Sequence, residues 1–327
     1  MSAVRDRVER GLTWLTSEQH NLRSFSLLRI LYGVAILVLL VPSARDRAVL
    51  WGGASFWVDP EAKRSGFPTF DLFLPKDSPV AFDVAFFGLI VLAVLFTLGY
   101  RTRVVLPLLL VLLVSLQANN PYVLNGGDTL MRLSLLYMLF ANLGAHFSLD
   151  ARRQRRRASS PAGPRRLVPA HVSNAAHNVG LVLCCFQILV VYVVSGVWKL
   201  SGGEWLDGTA LFYALRLDAF ALQPILNELL WQSSFVIVLA TFVALWAQTL
   251  FPVAMLWRPT RIVVLGLLML MHLGIAAVMG LWPFSLAMIA LDLLFVRDST
   301  WVDLGRRARR TALGRRLTER RRLLPSG

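Results

Sequence analysis

Lys199, in the segment YVVSGVWKLSGGEW, is the residue of this sequence best placed to act as a base. It ends an apolar run, and Gly196, Gly202 and Gly203 around it would let the backbone of another segment come close. Desolvation disfavours the ammonium ion, so a partly buried lysine could supply a neutral amine for proton abstraction. The alternative stays open that Lys199 only extends its ammonium group from a helix end to the water interface.

His272 is the second candidate, about ten residues into the apolar segment around LMLMHLGIAAVMG and so near the middle of a membrane helix. A histidine at that depth could relay protons or contact a ligand, or it could be a buried side chain with one hydrogen-bond partner. The same run holds no Cys, Asp or Glu, so the sequence predicts no metal site. We predict Lys199 and His272 as the catalytic residues.

A third polar group lies in the segment ANNPYVLNGGDTLMRL. One interpretation is structural: Asp128 would be the N-cap of the helix that follows, and the Asn and Gly residues would form turns. The other is a polar vestibule on the same side of the membrane as Lys199. The predicted substrate-binding residues are Asn119, Asn120, Asn125, Asp128, Arg132, Trp198 and Trp205.

Two more charges fall inside apolar runs, Arg29 near the start of the first run and Asp292 near the end of the last. Ionisable groups are costly in a bilayer, so each needs a partner. Both would lie at a similar depth, and we expect them to form a structural ion pair.

The composition is that of a membrane protein. Of the 327 residues, 56% are hydrophobic and only 16% are charged, and the mean hydropathy is +0.59. The net charge of +15 comes from arginines in blocks between apolar runs, which is typical of cytoplasmic loops and argues against nucleic-acid binding. The adjacent Cys184 and Cys185 offer no disulfide framework and are interpreted as apolar helix residues.

The length and uniformity of the apolar runs predict an all-α polytopic bundle, because barrel strands are shorter and alternate. We predict eight spans and an outer amphipathic helix. The spans are Phe25–Val41, Val80–Leu98, Val104–Ala118, Leu130–Phe147, Asn178–Trp198, Ser233–Trp257, Ile262–Leu281 and Pro283–Val296.

The basic residues predict the orientation. With the N-terminus inside, the inner segments hold 25 Lys and Arg and the outer segments 7. Both termini are therefore expected in the cytoplasm, with a cytoplasmic N-terminal segment at 1–24, a transmembrane domain at 25–297 and a basic tail at 298–327. The first apolar run starts too late for a signal peptide.

Three of the segments between or after the spans carry structural expectations of their own. Apolar residues recur every three to four positions in WLDGTALFYALRLDAFALQPIL, within the outer segment 199–232, which predicts the amphipathic helix. The inner stretch RRQRRRASSPAGPRR is expected to be a disordered, lipid-facing loop. The tail RRARRTALGRRLTERRR is expected to be a basic helix on anionic lipid.

Several of these segments resemble a known family. SLLRILYG, LGYRTRVVLPLLLVLL, NGGDTLMRLSLLYMLFANLGAHFSLDA, QILVVYVVSGVWKLSGGEWLDGTALFYAL and MHLGIAAVMGLWPFSLAMIA are similar, in this order, to the horizontally transferred transmembrane (HTTM) domain. That domain is the membrane part of vitamin K-dependent γ-glutamyl carboxylase and of many bacterial proteins. The resemblance covers residues 26–296, and its most specific pieces surround Lys199 and Asp128.

The resemblance implies roles for three residues. In the carboxylase, a lysine in a GVKKL segment acts on reduced vitamin K, and the second lysine of that segment falls on Lys199. A histidine in the family's WNNHSYL segment is replaced here by Asp128, which puts the original quinone chemistry in doubt, and the family's mid-span histidine falls on His272. The carboxylase's large lumenal domain has no counterpart here, so the resemblance is closer to a bacterial sporulation-delaying system's membrane component.

Three functions remain open. The chain could be an enzyme of the bacterial cell membrane that uses a reduced naphthoquinone, with Lys199 as base in an outward-facing pocket. It could be a non-catalytic membrane partner in the maturation, export or immunity of a secreted peptide. A transporter is disfavoured by the sparse intramembrane charges and the lack of repeats. The predicted partners are membrane lipids and a secreted peptide or accessory protein, not nucleic acid.

Overall fold

The computed structural model describes residues 2–55, 78–158, 168–217 and 222–307, and within these ranges the chain is helical and contains no strand. The predicted all-α class is confirmed. The helices are α1 (Ser2–Ser17), α2 (Leu22–Leu40), α3 (Arg47–Leu50), α4 (Pro79–Leu98), α5 (Thr102–Asn119), α6 (Gly126–Met138), α7 (Leu149–Ala158), α8 (Ala170–Leu200), α9 (Gly203–Leu206), α10 (Ala210–Leu215), α11 (Pro224–Trp231), α12 (Ser234–Thr249), α13 (Phe251–Ala254), α14 (Arg258–Met279) and α15 (Trp282–Asp292).

Five helical segments are long and apolar enough to cross a membrane: Leu22–Ala44, Pro79–Leu98, Thr102–Asn119, Ala170–Leu200 and Arg258–Met279. A sixth span results if α11 and α12, which are bent by 94° at their junction, are counted together. The chain is therefore an integral membrane protein, but the predicted count of eight is not confirmed.

Two of the predicted spans are shorter in the structure than in the sequence pattern. Helix α6 has 13 residues and gives way to turns after Met138, and α15 has 11. The predicted span Ser233–Trp257 breaks after Thr249, where Pro252 opens the new helix α13. Proline has no N–H for the helical ladder and clashes with the preceding turn, so the break is expected there.

The bundle has two ends, defined by contacts between helix termini. At the arginine end, where α2, α5, α8 and α14 begin, the Asp298 carboxylate accepts the N–H groups of Leu22 and Arg23 at 3.0 and 3.1 Å. At the opposite lysine end, where α8 ends and α15 begins, the Asn120 side chain donates to the carbonyl of Leu50 at 2.7 Å.

The first and last described helical segments both lie at the arginine end. Helix α1 packs against the start of α8, where the Asn178 amide donates to the carbonyls of Leu15 and Glu18 at 2.9 and 2.7 Å. The Trp301 indole donates to Ser24 Oγ at 2.9 Å. The two terminal segments are thus joined to the same face of the bundle.

Arg29 does not pair with Asp292, so that expectation is wrong. Its fully buried guanidinium donates to the carbonyls of Phe96, Thr97 and Phe147 at 2.7, 2.5 and 2.7 Å. Phe96 and Thr97 lie in the last turn of α4, where carbonyls lack helical partners and carry the negative end of the helix dipole. The cation therefore ties α2, α4 and the turn before α7 together.

The predicted outer amphipathic helix is also divided. The segment forms α9, α10 and α11, separated after Leu206 by Gly208, whose φ is +76°, and before α11 by residues 218–221, which lie outside the described ranges. A positive φ cannot continue a right-handed helix. The basic loop expected to be disordered begins as α7, while residues 159–167 and the tail from 308 lie outside the described ranges.

Arg29→Met is expected to lower the free energy of unfolding by about 3 kcal/mol, because three buried carbonyls lose their donor. Arg29→Lys should lower the free energy of unfolding by less, because the lysine ammonium group can still donate to some of these carbonyls. Titration with a denaturing detergent in mixed micelles measures both, and Arg103→Met, at an exposed arginine of the same end, is the control. An equal loss in the control would contradict the assigned role.

Candidate functional site

Helix α8 presents three polar side chains, Tyr192, Ser195 and Lys199, toward the bundle. Their spacing of three and four residues puts them on one face of the helix. Gly196 lies on that face too, and a Cβ atom there would be 2.6 Å from Thr249 Oγ1 and 2.8 Å from Thr249 Cα. Only glycine permits this approach of α8 to α12, which brings Gln248 of α12 to Lys199.

Lys199 is half-buried and its amine is held by uncharged groups. Nζ donates to Ser195 Oγ at 2.5 Å and to Gln248 Oε1 at 2.7 Å, and Ser195 Oγ donates to the same Gln248 oxygen at 3.0 Å. Nζ also lies 4.9 Å from the centre of the Trp205 ring. Within the described residues, no carboxylate forms an ion pair with Lys199.

His272 belongs to a second polar group, deeper in the bundle. The Tyr192 hydroxyl donates to the Asp292 carboxylate, with Oη 3.0 and 2.9 Å from its two oxygens, and lies 3.2 Å from His272 Nε2. All three side chains are buried, and aromatic rings of Phe251 and Phe284 cover them. His272 Nδ1 has no hydrogen-bond partner among the described residues.

This second group can hold one mobile proton without changing its net charge. With the proton on Asp292, the carboxylic acid and the imidazole are both neutral. With the proton on His272, a carboxylate and an imidazolium face each other across the Tyr192 hydroxyl. A hydroxyl donates one proton and accepts another, so it can connect the two states. The arrangement is that of a short proton relay.

The group around Lys199 and the group around His272 lie next to each other where α12 contacts α14. The Gln248 amide nitrogen lies 3.6 Å from the sulfur of Met271, the residue before His272. Lys199 is close enough for its charge to act on His272. Four helices therefore supply two neighbouring polar groups that no described hydrogen bond joins directly. Together they form the polar cluster, which consists of Lys199, Ser195, Gln248, His272, Tyr192 and Asp292.

The predicted vestibule is a helix cap in this structure. Asn125, not Asp128, is the N-cap of α6: its Oδ1 accepts from Gly127 N at 2.8 Å. Asp128 completes a capping box, accepting the Asn125 N–H at 2.8 Å, and its other oxygen accepts from Gln117 at 3.2 Å. The cap packs close to α15, since a Cβ on Gly127 would lie 2.9 Å from Phe284.

The remaining predicted binding residues are dispersed. Asn119 is buried at the end of α5. The Asn120 side chain donates to the Leu50 carbonyl and accepts the Tyr122 N–H. Arg132 donates to the Thr129 hydroxyl at 3.1 Å. The Trp198 side chain is 75% exposed. Of the predicted set, only Trp205 contacts Lys199, and no described hydrogen bond or ion pair joins Lys199 to Asp128.

Comparison with known proteins decides the family. The sequence profile of the HTTM domain matches residues 18–301, which is most of the chain. The chain belongs to the HTTM domain family. No curated protein and no solved structure matches the chain.

Sequence reasoning about this HTTM domain missed Ser195, Tyr192 and Gln248 as site residues. The signal that could have found two of them is the spacing on α8, because polar residues four and seven positions before Lys199 share its face. Gln248 is a lone amide late in a predicted span. Its partner could not be read from the sequence, since it depends on which helix packs against α8.

Gln248→Glu is expected to slow acylation of the Lys199 amine by about tenfold or more, because a carboxylate at that distance favours the unreactive ammonium ion. Mass spectrometry after brief treatment with an amine-reactive ester measures the rate, with Lys63 and Lys76, outside the described residues, as internal references. Gln232→Glu adds the same charge on the surface of the lysine end and should leave the rate unchanged. Equal rates in both variants would refute the contact.

Tyr192→Phe is expected to lower the free energy of unfolding by about 1–3 kcal/mol, because a buried carboxyl and imidazole lose their shared hydroxyl. The double variant Tyr192→Phe/Asp292→Leu should lower the free energy of unfolding by less than the sum of the two single variants. The reason is that no buried carboxyl group then lacks a partner. Detergent-induced unfolding measures the coupling, and Tyr213→Phe, at an exposed tyrosine, is the control. Strict additivity would show that the hydroxyl does not serve Asp292.

Proposed function

We propose that this HTTM domain protein is a membrane enzyme in which Lys199 acts as a base on a weakly acidic, lipid-soluble substrate, with reduced naphthoquinones as the first candidate class. The proposal rests on the observation that, among the described residues, the Lys199 amine forms hydrogen bonds only with uncharged acceptors. A half-buried lysine beside a carboxylate would stay an ammonium ion, whereas Lys199 has Ser195 and Gln248 as its described partners.

The hydrogen bonds at Lys199 suit both protonation states. A neutral amine has two N–H groups, and its two acceptors at 2.5 and 2.7 Å match them, which leaves the lone pair free. The lone pair takes the phenolic proton of the substrate, so that a phenolate and an ammonium ion form from two neutral groups. The Trp205 ring, 4.9 Å from Nζ, then stabilises the new cation.

The group formed by Tyr192, His272 and Asp292 gives the proton a second place to reside. With Asp292 ionised and His272 neutral, the group takes up one proton and its net charge changes from −1 to 0. The group lies beside Met271, whose sulfur is 3.6 Å from the Gln248 amide nitrogen. We assign His272 the relay role and Lys199 the base. Asn119, Asn125, Asp128 and Arg132 remain proposed as the rim of the substrate entrance at the lysine end.

The family supports the choice of substrate. In the related carboxylase the lysine at the Lys199 position acts on reduced vitamin K, and Lys199 is retained here within SGVWKL. Dioxygen would be the co-reactant and oxidant that consumes the phenolate, giving either quinone and hydrogen peroxide or quinone epoxide and water. Asp128 stands where the family has a histidine. Because of this difference from the carboxylase, the quinone substrate must be assayed directly.

The membrane arrangement is part of the proposal. We infer a bacterial cell membrane protein with eight membrane segments, counting α6, α12 and α15 as short or tilted ones. The arginine end faces the cytoplasm, since the arginine-rich segments at 101–103, 152–156 and 258–261 are on that side of the bundle. The lysine end then faces outward.

The test uses the full chain in lipid nanodiscs with reduced naphthoquinone and dioxygen, and mass spectrometry of the quinone products. Lys199→Met is expected to reduce product formation by about 100-fold or more, the usual contribution of a general base. Arg216→Met, which removes a cation stacked on Phe212 and Trp231 at the same end, should retain activity. Activity in Lys199→Met equal to the wild type would refute the role of Lys199.

The second candidate is a non-catalytic partner that assists the maturation, export or immunity of a secreted peptide. The observation in its favour is the apolar surface of the lysine end, where Ile225, Leu229 and Phe235 are 78%, 64% and 75% exposed. No product over a range of quinones, together with a biological function that survives Lys199→Met but not Ala214→Pro in α10, would favour it.

A further inference from the structure

A lateral cleft opens at the arginine end, away from Lys199. It has a volume of about 870 Å³ and lies between the end of α1, the first half of α8, the start of α14 and residues 294–298. That size accommodates a large part of a lipid-sized ligand. The cleft is separated from Tyr192 by two aromatic residues in edge-to-face contact, Phe295, which lines it, and Phe251.

One wall of the cleft is apolar and runs along α8. Val182, Phe186 and Leu189 recur at intervals of four and three residues, so they form a stripe on one face of the helix. Val182 and Phe186 line the cleft, and their side chains are 49% and 60% exposed. Leu294 and Phe295 form part of the opposite wall. A hydrocarbon chain fits such a surface.

The mouth of the cleft carries two arginines, Arg261 and Arg297. Arg261 lies within electrostatic range of Arg297 and of Arg258, so three like charges gather at this point. In the part of the chain that the structure describes, neither Arg261 nor Arg297 forms an ion pair. A close pair of guanidinium groups without a carboxylate is a site for an anion.

Two carboxylates also line the mouth, but among the described residues neither forms an ion pair with Arg261 or Arg297. Both oxygens of Asp298 accept backbone N–H groups at the start of α2, at 3.0 and 3.1 Å. Glu18 is 75% exposed and lies 3.8 Å from His20. The guanidinium groups therefore remain available to a ligand that enters from the membrane.

We propose that this cleft binds an anionic phospholipid, with one acyl chain along Val182, Phe186 and Leu189 and the phosphate between Arg261 and Arg297. The combination selects the ligand. An apolar wall alone would accept any hydrocarbon, and arginines alone would accept any anion, but an amphiphile that carries both parts satisfies the wall and the mouth together. This site is independent of Lys199 and its chemistry.

Helix α1 supports a lipid as the occupant, because it places the mouth at the height of the headgroups. Val4, Val8 and Leu12 form a stripe that is 68%, 55% and 56% exposed, while arginines occupy other faces of the helix. Such a helix lies in the membrane interface. Trp14, at its end, lines the cleft and is 42% exposed, which is typical of an interfacial anchor.

The test is native mass spectrometry of the full chain in detergent micelles, with phosphatidylglycerol or phosphatidylcholine of identical acyl chains added in turn. The wild type is expected to retain one phosphatidylglycerol with at least about tenfold preference over phosphatidylcholine. Arg261→Gln/Arg297→Gln should lose this preference. Arg103→Gln/Arg152→Gln, which removes the same charge from exposed positions of the same end, should keep it.

The wall is tested separately by Val182→Trp, which fills the cleft and should weaken binding of both lipids by about tenfold. Val194→Trp, at an exposed position of α8 beyond the residues that line the cleft, should not. These two variants decide the outcome if the arginine variant does not fold. Equal binding of the two lipids by the wild type, an equal effect of both arginine pairs, or displacement of the lipid by millimolar inorganic phosphate would each overturn the proposal.

Discussion

Several polar side chains inside this bundle are bonded to a segment other than their own helix, because water cannot reach them there. An unpartnered polar group costs several kcal/mol in a hydrocarbon-like interior, so each one must find a donor or acceptor on a neighbouring segment. Arg29 joins α2 to the end of α4, Asp150 accepts the Arg101 and Thr102 N–H groups at the start of α5, and Asn178 joins α8 to α1. These contacts set the relative positions of helices whose apolar faces alone would pack in many ways.

The buried polar groups divide into two kinds by the nature of their partners. Arg29 and Asn178 donate to backbone carbonyls, and Asp150 and Asp298 accept backbone N–H groups. Backbone groups neither gain nor lose protons, so such contacts are fixed. His272 and Asp292 instead share the Tyr192 hydroxyl, through which a proton can pass, and Lys199 is bonded to the uncharged side chains of Ser195 and Gln248. This difference, more than burial, distinguishes the polar cluster from the structural contacts around it.

The two ends of the bundle offer different chemistry. At the lysine end, Lys199 is held by uncharged acceptors, an arrangement suited to proton transfer. The arginine end has several cations beside an apolar cleft, an arrangement suited to a charged amphiphile. Phe251 and Phe295, whose ring centres are 5.1 Å apart, separate the cleft from Tyr192. A lipid in the cleft would therefore contact Phe295 without reaching the group of Tyr192, His272 and Asp292.

The sequence alone determined the all-helical membrane class, the HTTM family, the arginine-rich segments and the two candidates Lys199 and His272. Hydropathy, charge blocks and local motifs follow from neighbours in the chain, so they can be read without a fold. It could not determine the partners: Arg29 bonds α4 rather than Asp292, Asn125 rather than Asp128 caps α6, and Lys199 meets Ser195 and Gln248. It also overestimated span lengths where turns or Pro252 end a helix within an apolar run. Only the tertiary structure decided these points, because a buried polar group bonds whichever segment the packing brings within about 3 Å.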